Sequence, residues 1–114
     1  MITLYGIKNC DTVKKARKWL EQNDVAYTFH DFRENGMESV PLAQWLEASG
    51  WEQVLNRRST SWRALSDEQK NTMDNSSALT LATETPTLIK RPVMTRGSET
   101  LFGFKADLYA DFVR

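Results

Sequence analysis

Apolar and polar residues change their period several times along this chain, and each change marks an element. Ile2 to Tyr5 is a short β-prone run, and Gly6 reads as the turn that follows it. From Asp11 or Thr12 to about Gln22, Val13, Ala16 and Leu20 recur at helical spacing while Lys14, Lys15, Lys18 and Glu21 take the other side. That pattern predicts an amphipathic helix stopped by Asn23-Asp24. Val25, Tyr27 and Phe29 then alternate with Ala26, Thr28 and His30, the two-residue period of a strand, and Phe32 extends its second face. The connection is long enough for a right-handed crossover between parallel strands, so the chain is expected to open as a β-α-β unit.

The middle changes character. After the turn Arg33-Glu34-Asn35-Gly36, residues 39 to 48 carry Leu42, Trp45 and Leu46 at helical spacing, and Gly50 punctuates before Trp51, Val54 and Leu55. Ser66-Asp67-Glu68 reads as another helix start, a capping serine followed by acids that suit the positive helix end. Residues 77 to 82 predict one more short helix, which makes about 38–83 a helical block. Strands then return. The run Pro86 to Met94 is β-prone, and Pro92, which has no N–H to donate to a ladder, should end one strand and precede a second. That second strand turns at Arg96-Gly97-Ser98 and continues from Thr100 to Phe102. Leu108, Tyr109, Phe112 and Val113 predict a terminal amphipathic helix, with Asp107 and Asp111 outside it.

Composition narrows the functional classes. A chain of 114 residues suits a single domain, able to bury roughly two thirds of its unfolded surface without staples. The 15 basic and 15 acidic residues cancel, which leaves no overall field to steer the chain onto nucleic acid or an anionic membrane. No run approaches the ~20 apolar residues of a membrane span, and MITLYG does not read as a signal peptide. One cysteine cannot form an internal disulfide, so a reducing cytoplasm is the expected setting, with the protein soluble and monomeric. His30 has no neighbours at ligand spacing and is read as structural, with no metal site expected. The four tryptophans are read as packing residues.

That cysteine, Cys10, lies where the first strand gives way to the first helix. A thiol at a helix start feels the partial positive charge of the unpaired N–H groups, which favours the thiolate, and Lys8 and Lys14 push the same way. Against this stands the commoner fate of a free cysteine, a small buried hydrophobe. Arg57, Arg58 and Arg63 have their own plain reading as the solvated side of a helix, and Arg91 as a sheet-edge cation. If Cys10 does attack a disulfide, no second thiol in the chain can release the mixed species. An outside thiol must do so, and glutathione is the abundant candidate. Arginine forks beside the thiol would grip the carboxylates of such a substrate, or an oxyanion.

Three segments carry a resemblance. GIKNCDT at 6–12, NRRST at 56–60 and LIKRPVM at 88–94, in this order of elements, resemble the arsenate reductase family of thioredoxin-like proteins, in particular its small YffB-type branch. The likeness runs from Met1 to nearly Arg114. It implies an α/β thioredoxin-like fold, β-α-β then β-β-α, with a helical insertion between the halves. It also implies that Cys10 is the nucleophile, that Arg91 before a cis Pro92 binds the anion, and that Arg58 completes the pocket, with Arg57 as the alternative. Lys8 and Thr12 join the anion- and thiol-substrate-binding set, and Pro92 is structural. Three features depart from relatives. The Leu101 to Phe104 stretch lacks a further arginine, Gly6 and Ile7 stand where arsenate reductases carry a histidine, and Val13 replaces the second cysteine of the C-x-x-C switch in related Spx-type polymerase-binding regulators. The implied activity is a glutathione-dependent thiol-disulfide oxidoreductase, with no bound cofactor, glutathione as co-substrate and glutaredoxin as a candidate partner. Arsenate reduction is the second expectation. A non-catalytic RNA-polymerase-binding regulator is the third.

Overall fold

Along the first strand, β1 (Ile2–Gly6), Ile2 and Leu4 alternate with Thr3 and Tyr5, so one face is enclosed and the other half-buried. The computed structural model describes residues 1–114, and further elements follow that strand. In chain order they are α1 (Asp11–Gln22), β2 (Thr28–Asp31), α2 (Leu42–Ser49), α3 (Trp51–Val54), α4 (Thr60–Arg63), α5 (Asp67–Asn71) and α6 (Asn75–Glu84). A 3-10 turn (Pro86–Leu88), β3 (Val93–Arg96), β4 (Glu99–Phe102) and α7 (Ala106–Phe112) complete the chain. The expected order, β-α-β, helical block, β-β-α, is present. The chain divides into two compact units, Met1–Gly36 with Arg91–Arg114, and Met37–Lys90.

The first unit is a mixed four-stranded sheet in the order β2-β1-β3-β4. β1 and β2 run parallel from Thr3 opposite Thr28 to Gly6 opposite Asp31, and β3 runs antiparallel to β1 with Tyr5 opposite Val93. β3 and β4 form a hairpin whose turn places Gly97 at φ +62°, a left-handed conformation that costs glycine little. The predicted helix face of Val13, Ala16 and Leu20 is fully buried. Leu20 and Ala16 join Ile2, Leu4, Met94 and Tyr109 in one core. Tyr109 is its aromatic centre, with Trp19 and Phe104 edge-on at ring distances of 5.7 and 4.8 Å. Its hydroxyl donates to the Gly103 carbonyl at 3.2 Å, and burial pushes its phenol up from the ordinary value. His30 is structural, as read from the sequence: its Nε2 lies 2.8 Å from the Gly36 carbonyl and its ring packs on Tyr5 and Phe32.

In the second unit α2 buries Leu42, Trp45 and Leu46 and packs on α6, which presents Ala78 and Ala82. Asn75 joins three elements through its side chain, accepting from the Trp51 N–H at 3.0 Å and donating to the Leu46 carbonyl at 3.0 Å. Ser66 starts α5 with a capping box to Gln69, the helix start read from Ser66-Asp67-Glu68. No helix in the chain is long and apolar enough to cross a membrane.

Several features differ from expectation. β2 begins at Thr28, not Val25, because the parallel register ends at Thr3 and leaves residues 25–27 without a neighbouring strand; the Val25 N–H turns back to the Leu20 carbonyl at 2.9 Å. The expected strand from Pro86 is a 3-10 turn, with the Ile89 N–H bonded to the Pro86 carbonyl at 3.0 Å and only an isolated bridge between Leu55 and Ile89. Pro86 fits there because its missing N–H is one the turn leaves unpaired. α6 is longer than 77–82, extended back by an Asp74–Ser77 capping box. α4, capped by Ser59, is too short to show periodicity. Leu108, assigned to the buried stripe of the last helix, is 45% exposed, since turning Tyr109 fully inward points its neighbour away.

The core makes a quantitative prediction. Tyr109→Ala should lose about 3–5 kcal/mol of unfolding free energy, the cost of deleting a buried aromatic. Tyr109→Phe should lose only about 1 kcal/mol, that of one hydrogen bond. Urea denaturation monitored by circular dichroism measures both.

Candidate thiol site

The thiol site begins with a close approach. A Cβ built on Gly6 would meet Val13 Cγ2 at 2.8 Å and Cγ1 at 3.3 Å, so α1 packs directly against the last residue of β1. Val13 is fully buried and, being β-branched, has little freedom to yield. Gly6 is therefore a strand residue that lets the helix come near, and not the turn read from the sequence. Ile7 follows with its side chain buried, and the chain reverses over Ile7 to Cys10, where the Cys10 N–H donates to the Ile7 carbonyl at 3.1 Å.

Cys10 is the N-cap of α1, at φ −89° and ψ 128°, and its carbonyl accepts the first helical bond, from the Lys14 N–H at 2.9 Å. Its side chain makes no capping hydrogen bond and is half-buried, so the thiol is neither spent as a cap nor walled into the core. Thr12 is exposed on the first turn of the same helix. The exposed Lys8 ammonium pairs with Glu34, whose hydrogen bond and charge push it further up from the ordinary lysine value.

Arg91 and Pro92 enter the same end of the sheet. Tyr5 lies opposite Val93, so the residues that leave β1 toward Cys10 and those that lead into β3 share one end of the sheet. The Arg91–Pro92 bond is cis, as the resemblance implied, and the Pro92 carbonyl accepts from the Gly103 N–H at 2.8 Å. Arg91 is half-buried. Its Nε–H is enclosed with no acceptor in the chain, the only buried side-chain nitrogen or oxygen so left. An enclosed unpaired donor costs about 1–3 kcal/mol, more on a charged group, unless an acceptor is brought to it.

Arg58 lies in the second unit. There Asn56 donates from its N–H to the Leu88 carbonyl at 2.8 Å, so the NRRST run lies beside the first residues of LIKRPVM. The Asn56 side chain accepts from the Arg58 N–H at 3.0 Å and fixes the turn. The two arginines differ in use: Arg57 reaches Glu52 at 4.0 Å and lies over the Trp51 ring at 5.8 Å, whereas the exposed Arg58 guanidinium makes no ion pair.

Sequence reasoning missed Asp31. It is the single buried charged residue, 2% exposed, at the last position of β2. Its Oδ2 accepts from the Lys8 N–H at 2.9 Å, and its Oδ1 from the N–H groups of Arg33 and Glu34 at 2.7 and 3.0 Å. Burial opposes its charge, but the bonds from Glu34, Lys8 and Arg33 and the Lys8 ammonium outweigh burial and hold the carboxyl below its ordinary value. The bonds to Arg33 and Glu34 form a local Asx turn, a pattern legible in Asp-Phe-Arg-Glu-Asn-Gly. The bond to Lys8 spans 23 residues and leaves no such mark.

A parallel β-α-β unit, an antiparallel hairpin, a lone thiol at the first helix and a cis X-Pro bond entering β3 together make this a thioredoxin-like α/β fold. The chain belongs to the ArsC family, whose family model matches residues 5–112. It is 46% identical over 109 residues to an uncharacterized protein of Haemophilus influenzae, covering 96% of each chain. The solved structure of a YffB protein shares 46% identity and superposes with a TM-score of 0.93 over 100% of both chains. That of an arsenate reductase (ArsC) related protein from Brucella melitensis is 42% identical, with a TM-score of 0.80 over 97% of this chain and 92% of the other. A more distant relative is the global transcriptional regulator Spx of Streptococcus agalactiae, 29% identical over 94% of this chain and 79% of its own length.

Two outcomes follow from these contacts. Gly6→Ala should cost about 1–3 kcal/mol, the range for forcing one extra carbon into a packed site, read as a lower urea midpoint. Because the folded pKa of Asp31 lies below its unfolded value of ~3.9, its stabilisation is fully present well above that pH and is lost as pH falls through the folded value. Asp31→Asn should therefore be less stable than wild type by about 1–3 kcal/mol at pH 7, and the gap should narrow between pH 5 and the acid limit in parallel urea titrations.

Proposed function

We propose that the chain is a monothiol, glutathione-dependent thiol-disulfide oxidoreductase with Cys10 as nucleophile. The observation that carries this reading is the enclosed, acceptor-less Nε–H of Arg91, at the sheet end toward which β1 delivers a thiol with no capping role. A guanidinium with a spare buried donor suits a carboxylate brought by the substrate. Glutathione carries two carboxylates and a sulfur. Lys8 and Thr12, in the same unit as Cys10 and Arg91, are assigned to the anion-binding set.

The reaction balances with one outside thiol. The Cys10 thiolate attacks the glutathione sulfur of a mixed disulfide; the bond between Cys10 and that sulfur forms as the old disulfide breaks, and the other half leaves as a thiolate that takes a proton from water. A glutathione thiolate then attacks the same sulfur. Oxidised glutathione departs and Cys10 returns as thiolate, so one substrate is reduced for each glutathione thiol consumed.

Reduction of arsenate is the second reading, favoured by the same Arg91 donor, which also suits a tetrahedral oxyanion, and by the likeness to the Brucella protein. In that reading the Cys10 thiolate displaces hydroxide from arsenic, a glutathione thiolate attacks the Cys10 sulfur as the sulfur–arsenic bond breaks and arsenic leaves reduced by two electrons, and glutaredoxin is the candidate partner that removes the glutathione left on Cys10. The stretch Leu101 to Phe104 supplies no cation for the remaining arsenate charge, which ranks this reading second.

Intact-protein mass spectrometry after incubation with oxidised glutathione should show one adduct, absent in Cys10→Ser. Arg91→Ala should slow its formation by about 10–100-fold, the loss of a charge-assisted contact worth roughly 1.5–3 kcal/mol. No adduct across neutral pH, or an undiminished rate in Arg91→Ala, overturns the reading. Turnover of arsenate but not of mixed disulfides, with glutathione and glutaredoxin present, selects the second. Capture of RNA polymerase that survives Cys10→Ser would instead align the chain with its Spx relative.

A further inference from the structure

The buried carboxylate that the proposed reaction does not use stands behind the nucleophile loop. Three backbone N–H groups converge on Asp31, and one of them belongs to Lys8, two residues before Cys10. The remaining polar atoms of Asp31 are also engaged: its N–H donates to Asn35 Oδ1 at 2.9 Å and its carbonyl accepts from the Asn35 N–H at 2.8 Å. The neighbouring Phe32 N–H bonds to the Gly6 carbonyl at 2.8 Å. The end of β2 is thus rigidly tied to the end of β1, and Asp31 extends that tie past the strand into the loop.

We infer that Asp31 is the positioning residue for Cys10, an inference that rests on the reading of Cys10 as nucleophile. Between Gly6 and the first residue of α1 the chain has only Ile7 to Cys10 in which to turn, and Lys8 and Asn9 at its tip are exposed. Within that loop, Ile7 is fixed by burial, Cys10 by its turn and helix bonds, and the Lys8 backbone by the Asp31 carboxylate. The Lys8–Glu34 ion pair cannot replace it, since both side chains are about half exposed and such pairs contribute little geometric constraint. A carboxylate suits this position because one oxygen serves the loop and the other serves the turn. An asparagine has a single acceptor and would face either Lys8 or the Arg33-Glu34 pair with an N–H₂ donor. Disulfide exchange needs the attacking sulfur in line with the bond it breaks while the substrate carboxylate sits on Arg91. Alkylation by a small neutral reagent needs only an accessible thiol.

The test compares two rates in one variant. In Asp31→Asn the rate of adduct formation at Cys10 with oxidised glutathione should fall by about 10-fold or more, while alkylation by neutral iodoacetamide stays within about 2-fold, because displacement of a reacting group by a fraction of an ångström penalises the oriented reaction. Asp74→Ala serves as the control, since it removes the cap of α6 in the other unit and lowers stability without touching the loop. Equal changes in both rates, no change in either, or the same pattern in Asp74→Ala would overturn the inference. Should wild type form no glutathione adduct, the nucleophile reading fails by itself, and amide exchange at Lys8 decides the positioning. Exchange about 10-fold faster in Asp31→Asn, under conditions where the core amides stay protected, sustains a loop held by Asp31, whereas unchanged exchange removes it.

Discussion

β1 ends on a residue without a side chain because α1 needs that space. With Val13 within 2.8 Å of where a Cβ of Gly6 would stand, the helix start is brought against the sheet and the loop between them has no slack. The position of the thiol follows. Cys10 is the residue at which the short loop becomes helical, and the same close packing buries Val13, Ala16 and Leu20 on the helix face beneath it. Fully burying a side chain such as Leu20 or Val13 contributes about 1.5–3 kcal/mol relative to exposure. Several of them acting together hold the helix start far more firmly than any polar contact in the loop. The apolar contacts therefore set where the loop is, and the polar ones set its local shape.

Among those polar contacts, magnitude separates Asp31 from its neighbours. An exposed ion pair such as Lys8 with Glu34 contributes about 0–1 kcal/mol and is screened by salt. Each backbone N–H on a buried carboxylate is a charge-assisted bond, worth roughly 1.5–3 kcal/mol, and its loss would leave a buried charge with fewer donors. Burial works against Asp31 and the donors overcome it, which is why its carboxyl sits below the ordinary value despite being enclosed. Arg91 is the opposite case. Its Nε–H is enclosed too, but the chain brings it no acceptor. The Asp31 carboxylate is satisfied within the chain, whereas the half-buried Arg91 keeps one enclosed donor without an acceptor.

The sequence carried the secondary structure best where periodicity was long. Val13, Ala16 and Leu20 marked α1 to its bounds, and Arg96-Gly97-Ser98 marked the β3–β4 turn. It carried boundaries worst where tertiary pairing decides them. Val25 to Tyr27 alternates like a strand but has no strand beside it, and Pro86 to Ile89 is β-prone yet closes as a 3-10 turn. Composition cannot distinguish these cases, because whether an alternating run pairs depends on how far its neighbour extends. For the site, Cys10 and the Arg91–Pro92 pair were legible as a lone thiol and a resemblance. Asp31 was half legible, through the Asx turn it makes locally. Its bond to the Lys8 backbone, like the room Gly6 leaves for Val13, arises only when distant segments meet.

Fold alone does not decide what a thiol domain does, since the same architecture serves reductases and regulators. What decides is the inventory at the sheet end. A second cysteine would let the chain resolve its own mixed disulfide; with one cysteine in the sequence and Val13 three residues beyond it, no thiol of the chain can do so. The Gly6–Val13 contact sets the place of Cys10, and in the reaction proposed above release of the mixed disulfide falls to a thiol from outside that must reach the sulfur there.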